Sequence, residues 1–201
     1  MIRLVGIDPG LSGAVATLDL YQGGELPCLV GVVPTPTRTV TTRKKTRRDY
    51  DVAAMYALLV AARCPVNVRV AGVYVERQGP RPKQGVTSTF STGVGFGLWR
   101  GLVVATSLPL VVVEPLVWRR AFGLLGKGKA ASLRVATERF PAEYPVALRK
   151  HDGAADAVLL AVFGWLDRRT ERASPLEPPG PMVPESGDAG EQPLGVPDRG
   201  L

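Results

Sequence analysis

The chain predicts an α/β fold built on a mixed five-stranded sheet, an antiparallel meander joined to parallel strands and flanked by helices. Three observations carry this. Short β-branched runs follow one another in the first 33 residues with turn signals between them. Later apolar strands alternate with segments of helical periodicity, the pattern of a parallel sheet. The 201 residues are 45% hydrophobic, enough for one core plus appendages.

Ile2-Arg3-Leu4-Val5-Gly6-Ile7 is the first strand, stopped by Asp8-Pro9-Gly10. Gly13–Leu20 is the second, Tyr21-Gln22-Gly23-Gly24 turns the chain, and Leu26–Val33 is the third. Pro34 to Arg48 carries Arg38, Arg43, Lys44, Lys45, Arg47 and Arg48 without an acid or apolar periodicity. It reads as a mobile basic loop suited to phosphate. Asp51–Ala62 is helical, with Val52, Met55, Leu58 and Leu59 on one face and Asp49 or Asp51 as cap. Arg69–Glu76 is a central strand, and Thr87–Ser107 a long helix capped by Thr87 or Ser88. Leu110–Glu114 is nearly all valine, as fully buried parallel strands are. Val117–Phe122 and Ala130–Phe140 are shorter helices. Ala154–Arg169 is the last, with Ala155, Val158, Leu159, Val162, Phe163 and Leu166 on its apolar side.

The domain is expected to span residues 1–172, followed by a disordered tail over 173–201. Seven prolines, five glycines and no aromatic residue in those 29 positions leave too little apolar surface to offset chain entropy. With five acids against one arginine, the tail carries −4 of a formal net charge of +7, so the folded part stands at +11. Such a balance favours a polyanionic partner. Cys28 and Cys64 have no metal-ligand spacing and suit a reducing cytoplasm. No signal peptide is legible. The apolar stretch from Gly101 to Val117 is broken by Pro109 and Glu114, so no membrane span is expected.

Four acids fall at boundaries between apolar structure and a turn or helix start: Asp8, Glu76, Asp152 and Asp156. Grouped carboxylates bind hard cations through oxygen, and two such ions can drive in-line phosphodiester cleavage. A single His151, with no cysteine nearby, argues against zinc. Glu76 at the end of an apolar strand is poorly explained as packing.

Four motifs in order are Gly6-Ile7-Asp8-Pro9-Gly10-Leu11-Ser12-Gly13-Ala14, Val75-Glu76, Gly85-Val86-Thr87-Ser88-Thr89-Phe90 leading into Gly93-Val94-Gly95-Phe96-Gly97, and His151-Asp152-Gly153-Ala154-Ala155-Asp156-Ala157. Over about residues 1–170 they resemble the RuvC-type Holliday junction resolvases of the ribonuclease H-like superfamily, particularly bacteriophage variants. The resemblance implies a crossover junction endodeoxyribonuclease that resolves four-way junctions by paired symmetric nicks and also accepts other branched DNA. It implies two Mg²⁺ per site, with Mn²⁺ substituting, a homodimer, and the cytoplasm of a bacterial or phage-infected cell. Asp8 resembles the acid that bridges both metals, Glu76 the second ligand and Asp156 the acid of the last helix. Bacterial members place an Asp or His three residues before that acid. Here the position is Gly153, so Asp152 is the candidate, on the same helix face as Asp156, with His151 as competitor. Asp152 also reads as a helix N-cap.

Lys127 and Lys129 resemble the family's basic DNA-binding loop; Arg119, Arg120, Arg134, Arg149 and Lys150 extend that surface. Arg77, Arg81 and Lys83 follow Glu76 and are placed to hold the scissile strand. Phe90 is a candidate for the family's junction-opening wedge, with core packing as the plainer reading. Gly93, Gly97 and Gly101 recur every four residues, which predicts close backbone approach, most plainly tight packing of the long helix on the sheet; the resemblance also implies that this helix lies near a dimer interface. Rival readings are another ribonuclease H-like nuclease of transposase type, an actin-like kinase using Asp8-Pro9-Gly10 at phosphate, and a non-catalytic protein that binds branched DNA. The kinase would need a second phosphate loop, which is not found.

Overall fold

A computed structural model of the chain describes residues 1–21, 26–41, 45–63, 67–80, 82–145 and 151–173, the last three as backbone only. Arg43, Lys44, Arg81, Arg149, Lys150, Cys64 and the predicted tail from residue 174 onward lie outside the described residues.

Strand β1 (Ile2–Asp8) is central. It pairs antiparallel with β2 (Ala14–Leu20), which pairs antiparallel with β3 (Cys28–Pro34). On its other side it pairs parallel with β6 (Arg69–Glu76), and β6 pairs parallel with β7 (Leu110–Val113). The order is β3-β2-β1-β6-β7, the mixed five-stranded sheet that the sequence predicts.

The period-2 alternation of β1 divides the core. Leu4 faces α5 (Asp152–Ala173), together with Ala154, Val158 and Leu159 of that helix. Val5 and Ile7 face the other layer, packing with Met55 and Leu59 of α1 (Val52–Arg63) and Trp99 and Val103 of α2 (Val86–Ala105). Gly6 lies under α5 so closely that a Cβ there would overlap the Ala157 carbonyl and the Ala161 backbone. Small residues on both partners therefore set the spacing between helix and strand.

Several expectations are corrected. The segment read as a basic loop forms a separate hairpin, β4 (Thr37–Thr41) with β5 (Thr46–Tyr50), in register Thr37↔Tyr50 to Thr41↔Thr46. Its threonines favour extended backbone. A two-stranded ribbon lying largely in solvent buries little, so it needs no apolar alternation. Helix α1 begins as predicted, the Ala54 amide donating to Asp51 Oδ1 at 3.1 Å. Helix α2 starts earlier than expected, at Val86 with Gly85 as N-cap and no side-chain cap; Thr87 and Ser88 lie inside its first turn. Strand β7 is a sheet edge and only Val113 is buried.

Helices α3 (Pro115–Ala121) and α4 (Lys129–Arg139) connect β7 to the last helix. On α2 the buried positions are Gly95, Trp99 and Val103. Gly93, Gly97 and Gly101 are exposed, and a Cβ at any of them would meet nothing. The predicted tight packing of those three on the sheet is therefore wrong. The helix has two glycine faces, and only Gly95 touches the fold. Phe90 is 73% exposed, so its core reading is also corrected. Among the described residues no helix is long and apolar enough to cross a membrane.

Candidate active site

Asp8 ends β1 and Glu76 ends β6. These strands are parallel neighbours, with Ile7 opposite Val75, so both carboxylates leave the same edge of the sheet. Carboxyl ends of parallel strands are where α/β sheets place their chemistry. The start of α5 closes this edge. Gly153 sits against the Ser12 carbonyl and Gly13, and a Cβ on it would stand 2.8 Å from Asp8 Oδ2. At position 153 a side chain would strike the Asp8 loop. An acid at 152 avoids the clash while staying one helical turn from Asp156.

Glu76 is buried. Trp118 Nε1 donates to Oε1 at 3.1 Å and Gln78 Nε2 to Oε2 at 2.6 Å, which holds both oxygens in place. Burial pushes its pKa up and the Asp156 charge adds to this; the Trp118 bond, the Arg119 charge and the Gln78 bond oppose it. Asp156 is raised first by burial and also by Asp152, against the Ser132 hydroxyl, Arg119 and Lys129. Arg119 Nη2 lies 3.2 Å from Asp156 Oδ2, while Asp156 Oδ1 is buried with no hydrogen bond of good geometry. Lys129 Nζ is 3.2 Å from Asp152 Oδ2. His151 takes the capping role, its Nδ1 accepting from the Ala154 amide at 3.2 Å, and Asp152 is the first helical residue. Tyr144, buried beside these acids, has its hydroxyl pushed up to about 12 by burial and by Asp156 and Asp152.

The acids interact in pairs, Glu76 with Asp156 and Asp156 with Asp152. Among the described residues no three His, Cys, Asp or Glu side chains converge closely enough to hold one ion. The donor set nonetheless fits a hard divalent cation. All candidates are carboxylate oxygens. Glu76 is buried and Asp156 partly so; burial holds both towards their neutral forms against the opposing charge of Arg119, and Asp156 Oδ1 makes no hydrogen bond of good geometry.

Among the predicted DNA contacts, Lys45, Arg47 and Arg48 belong to the hairpin and are exposed. A cavity of about 610 Å³ between the hairpin and α2 is lined by residues including Ser12, Arg47, Arg48, Ser88 and Phe90. Arg77 pairs with Glu114 at 2.7 Å, and Lys83 and Lys127 are exposed. Trp118, Gln78, Ser132 and Tyr144 escape sequence reasoning, and Arg119, read as outer surface, turns inward to Asp156. The only local signal is the Trp118-Arg119 pair on a helix opened by Pro115. Nothing in it says which acid the pair meets.

No protein-family model matches the chain. Over 135 residues, 63% of this chain, it is 31% identical to the chloroplastic Holliday junction resolvase MOC1 of Chlamydomonas reinhardtii. It spans only 15% of that protein's length. Its fold matches that of Thermus thermophilus RuvC with a TM-score of 0.56 at 18% identity, covering 87% of this chain and 99% of the other. The T. thermophilus RuvC structure in complex with Holliday junction substrate matches with a TM-score of 0.55 at 17% identity, with the same coverage. The chain therefore has the ribonuclease H-like fold of RuvC and resembles a junction resolvase in sequence.

Proposed function

We propose that this protein is a metal-dependent, structure-specific endodeoxyribonuclease that resolves Holliday junctions by paired symmetric nicks and also cuts other branched DNA. The carrying observation is that Asp8, Glu76 and the Asp152/Asp156 turn of α5 lie at the same end of the sheet, in a chain similar to a resolvase. Asp8, Glu76, Asp152 and Asp156 are the proposed catalytic and metal-holding residues, for two Mg²⁺ or Mn²⁺. When bound, these ions would supply an activated water and charge stabilisation for the leaving 3′ oxygen. The protein's own part is to hold the carboxylates. Trp118 and Gln78 orient Glu76, the start of α5 presents Asp152 and Asp156, and Gly153 leaves room for Asp8. With His151 engaged at the helix start, Asp152 is favoured over it as the fourth ligand.

Arg119 and Lys129, which pair with Asp156 and Asp152, would meet the scissile phosphate. Lys45, Arg47, Arg48, Arg77, Lys83 and Lys127, with Arg43, Lys44 and Arg81, would neutralise the flanking backbone. Exposed Phe90 is the candidate wedge. A homodimer is favoured by the two-fold character of paired nicking. Its proposed contact is the outer face of α2, where Gly93, Val94, Gly97, Gly101 and Val104 are exposed. The proposed setting is the cytoplasm.

The test is cleavage of an end-labelled four-way junction with Mg²⁺ or Mn²⁺, beside Asp8→Asn and a linear duplex. Symmetric nicks that vanish in the variant are expected. Tight junction binding without cutting in either metal would instead identify a non-catalytic junction-binding protein.

A further inference from the structure

Tyr50 is the last residue of β5, and at 3% exposure its ring belongs to the core between sheet and helices. Its hydroxyl lies 3.3 Å from the Pro9 carbonyl and 3.2 Å from the Ser91 carbonyl. Pro9 follows Asp8 directly, and Ser91 is on α2. One phenolic proton thus serves a backbone acceptor on the Asp8 loop and another on the long helix. Packing alone would be met by phenylalanine; the hydroxyl is what spans the two elements.

Gly95 completes the arrangement. A Cβ there would overlap the Tyr50 hydroxyl and stand 2.5 Å from the Pro9 carbonyl, so this glycine is required by the contact itself. Two residues earlier on β5, Arg48 Nη2 donates to Ser12 Oγ at 3.0 Å. The hairpin therefore grips the segment from Pro9 to Ser12 at both ends. Gly13 N donates to Gly10 O at 2.8 Å, and Gly10 N reaches Asp8 Oδ1 only at 3.4 Å.

We infer that Tyr50 is a positioning residue for the Asp8 carboxylate, mounted on the β4–β5 hairpin and clamping the Asp8 loop against α2. The inference rests on the nuclease reading above and adds to it a reason for the hairpin beyond charge. Placement errors of about 1 Å at a reacting group cost on the order of a hundredfold in rate. A hydrogen bond that fixes the residue after Asp8 acts on that scale.

The variants are Tyr50→Phe, which keeps the ring, Gly95→Ala, and the two combined. Three quantities are measured: single-turnover cleavage at saturating junction, junction affinity in Ca²⁺, and Mn²⁺ binding to the free protein by electron paramagnetic resonance. Tyr50→Phe is expected to slow cleavage by roughly tenfold and to weaken Mn²⁺ binding, with junction affinity unchanged, because the loss falls on the reacting geometry rather than on substrate binding. Gly95→Ala, which by helix propensity alone should favour α2, is expected to slow cleavage further. The double variant is expected to be no slower than Gly95→Ala alone, since the clamp bond is already broken there while the contacts of the added Cβ with the ring carbon and the Pro9 carbonyl at 2.5 Å remain; this non-additivity marks direct coupling.

Cleavage and Mn²⁺ binding equal to wild type in Tyr50→Phe would overturn the inference. So would a parallel fall in thermal stability, junction affinity and rate, which a merely structural role produces. A wild type that binds Mn²⁺ but cuts no branched DNA would sink the nuclease reading alone, because the effect of Tyr50→Phe on Mn²⁺ binding stays readable without substrate.

Discussion

Gly6 and Gly153 on one side of the sheet, and Gly93, Gly97 and Gly101 on the other, are the same residue in opposite circumstances. The first two are demanded by contacts within the chain: α5 backbone above Gly6, the Asp8 loop against Gly153. The other three face open space although they lie in a helix, where glycine weakens the element. A glycine packed against backbone is explained by the fold. A glycine row exposed on a helix is not, and the proposed contact with a second copy would account for it. Spacing in the sequence cannot tell the two apart.

The largest expected effect breaks the first group. Gly6→Ala forces α5 off β1 and should cost about 3 kcal/mol, the upper end for overpacking. Chemical denaturation would show it as a lowered midpoint, and an unchanged midpoint would mean the helix–strand spacing is wrong. Gly153→Ala should cost less stability but cut the cleavage rate by roughly a hundredfold, since the Cβ displaces Asp8. Restoring the bacterial spacing with Gly153→Asp in an Asp152→Asn background should rescue nothing. Recovered cleavage there would show that position 153 has room after all.

Between these groups stands Glu76. A carboxyl whose pKa is raised on folding holds its proton more tightly in the native state. Its contribution is present below the unfolded-state pKa and is lost as pH rises through the folded-state value. Glu76 and Asp156 are both raised, so in a chelator the protein should lose stability as pH rises from the ordinary carboxylate range through their raised folded-state values. Glu76→Gln keeps an acceptor for Trp118 and removes the buried charge. It should raise the neutral-pH melting temperature without divalent ions by roughly 2–4 °C, about 1 kcal/mol, and flatten the pH dependence. Melting curves at several pH values check both effects, and a lowered melting temperature would show that Arg119 more than offsets the burial.

The smallest effect concerns the outer row. Gly97→Ala should strengthen α2 by up to about 1 kcal/mol while weakening self-association in sedimentation experiments. Unaltered self-association would remove this face from the proposed dimer.

Much was legible before folding. Short β-rich apolar runs between turn signals gave the five strands, and acids at strand ends gave Asp8 and Glu76, because a carboxylate ending an apolar strand has few structural uses. Alternation of strand and helix gave the parallel part of the mixed sheet, and only the structure gave the strand order. The hairpin was missed, because a ribbon lying largely in solvent leaves no apolar pattern. The helix start was half legible: Asp152 competed with His151, and only the structure shows the His151 ring accepting from the Ala154 amide.

By itself, then, the sequence determined which faces are apolar, where the strands end and which acids stand at those ends, because these depend on local periodicity. The tertiary structure alone decided that Trp118 and Gln78 hold Glu76, that Arg119 turns to Asp156, that Tyr50 reaches Pro9, and which glycines are contacts. Each of these depends on how closely two distant elements approach, a distance set by all the side chains between them and written in no single segment.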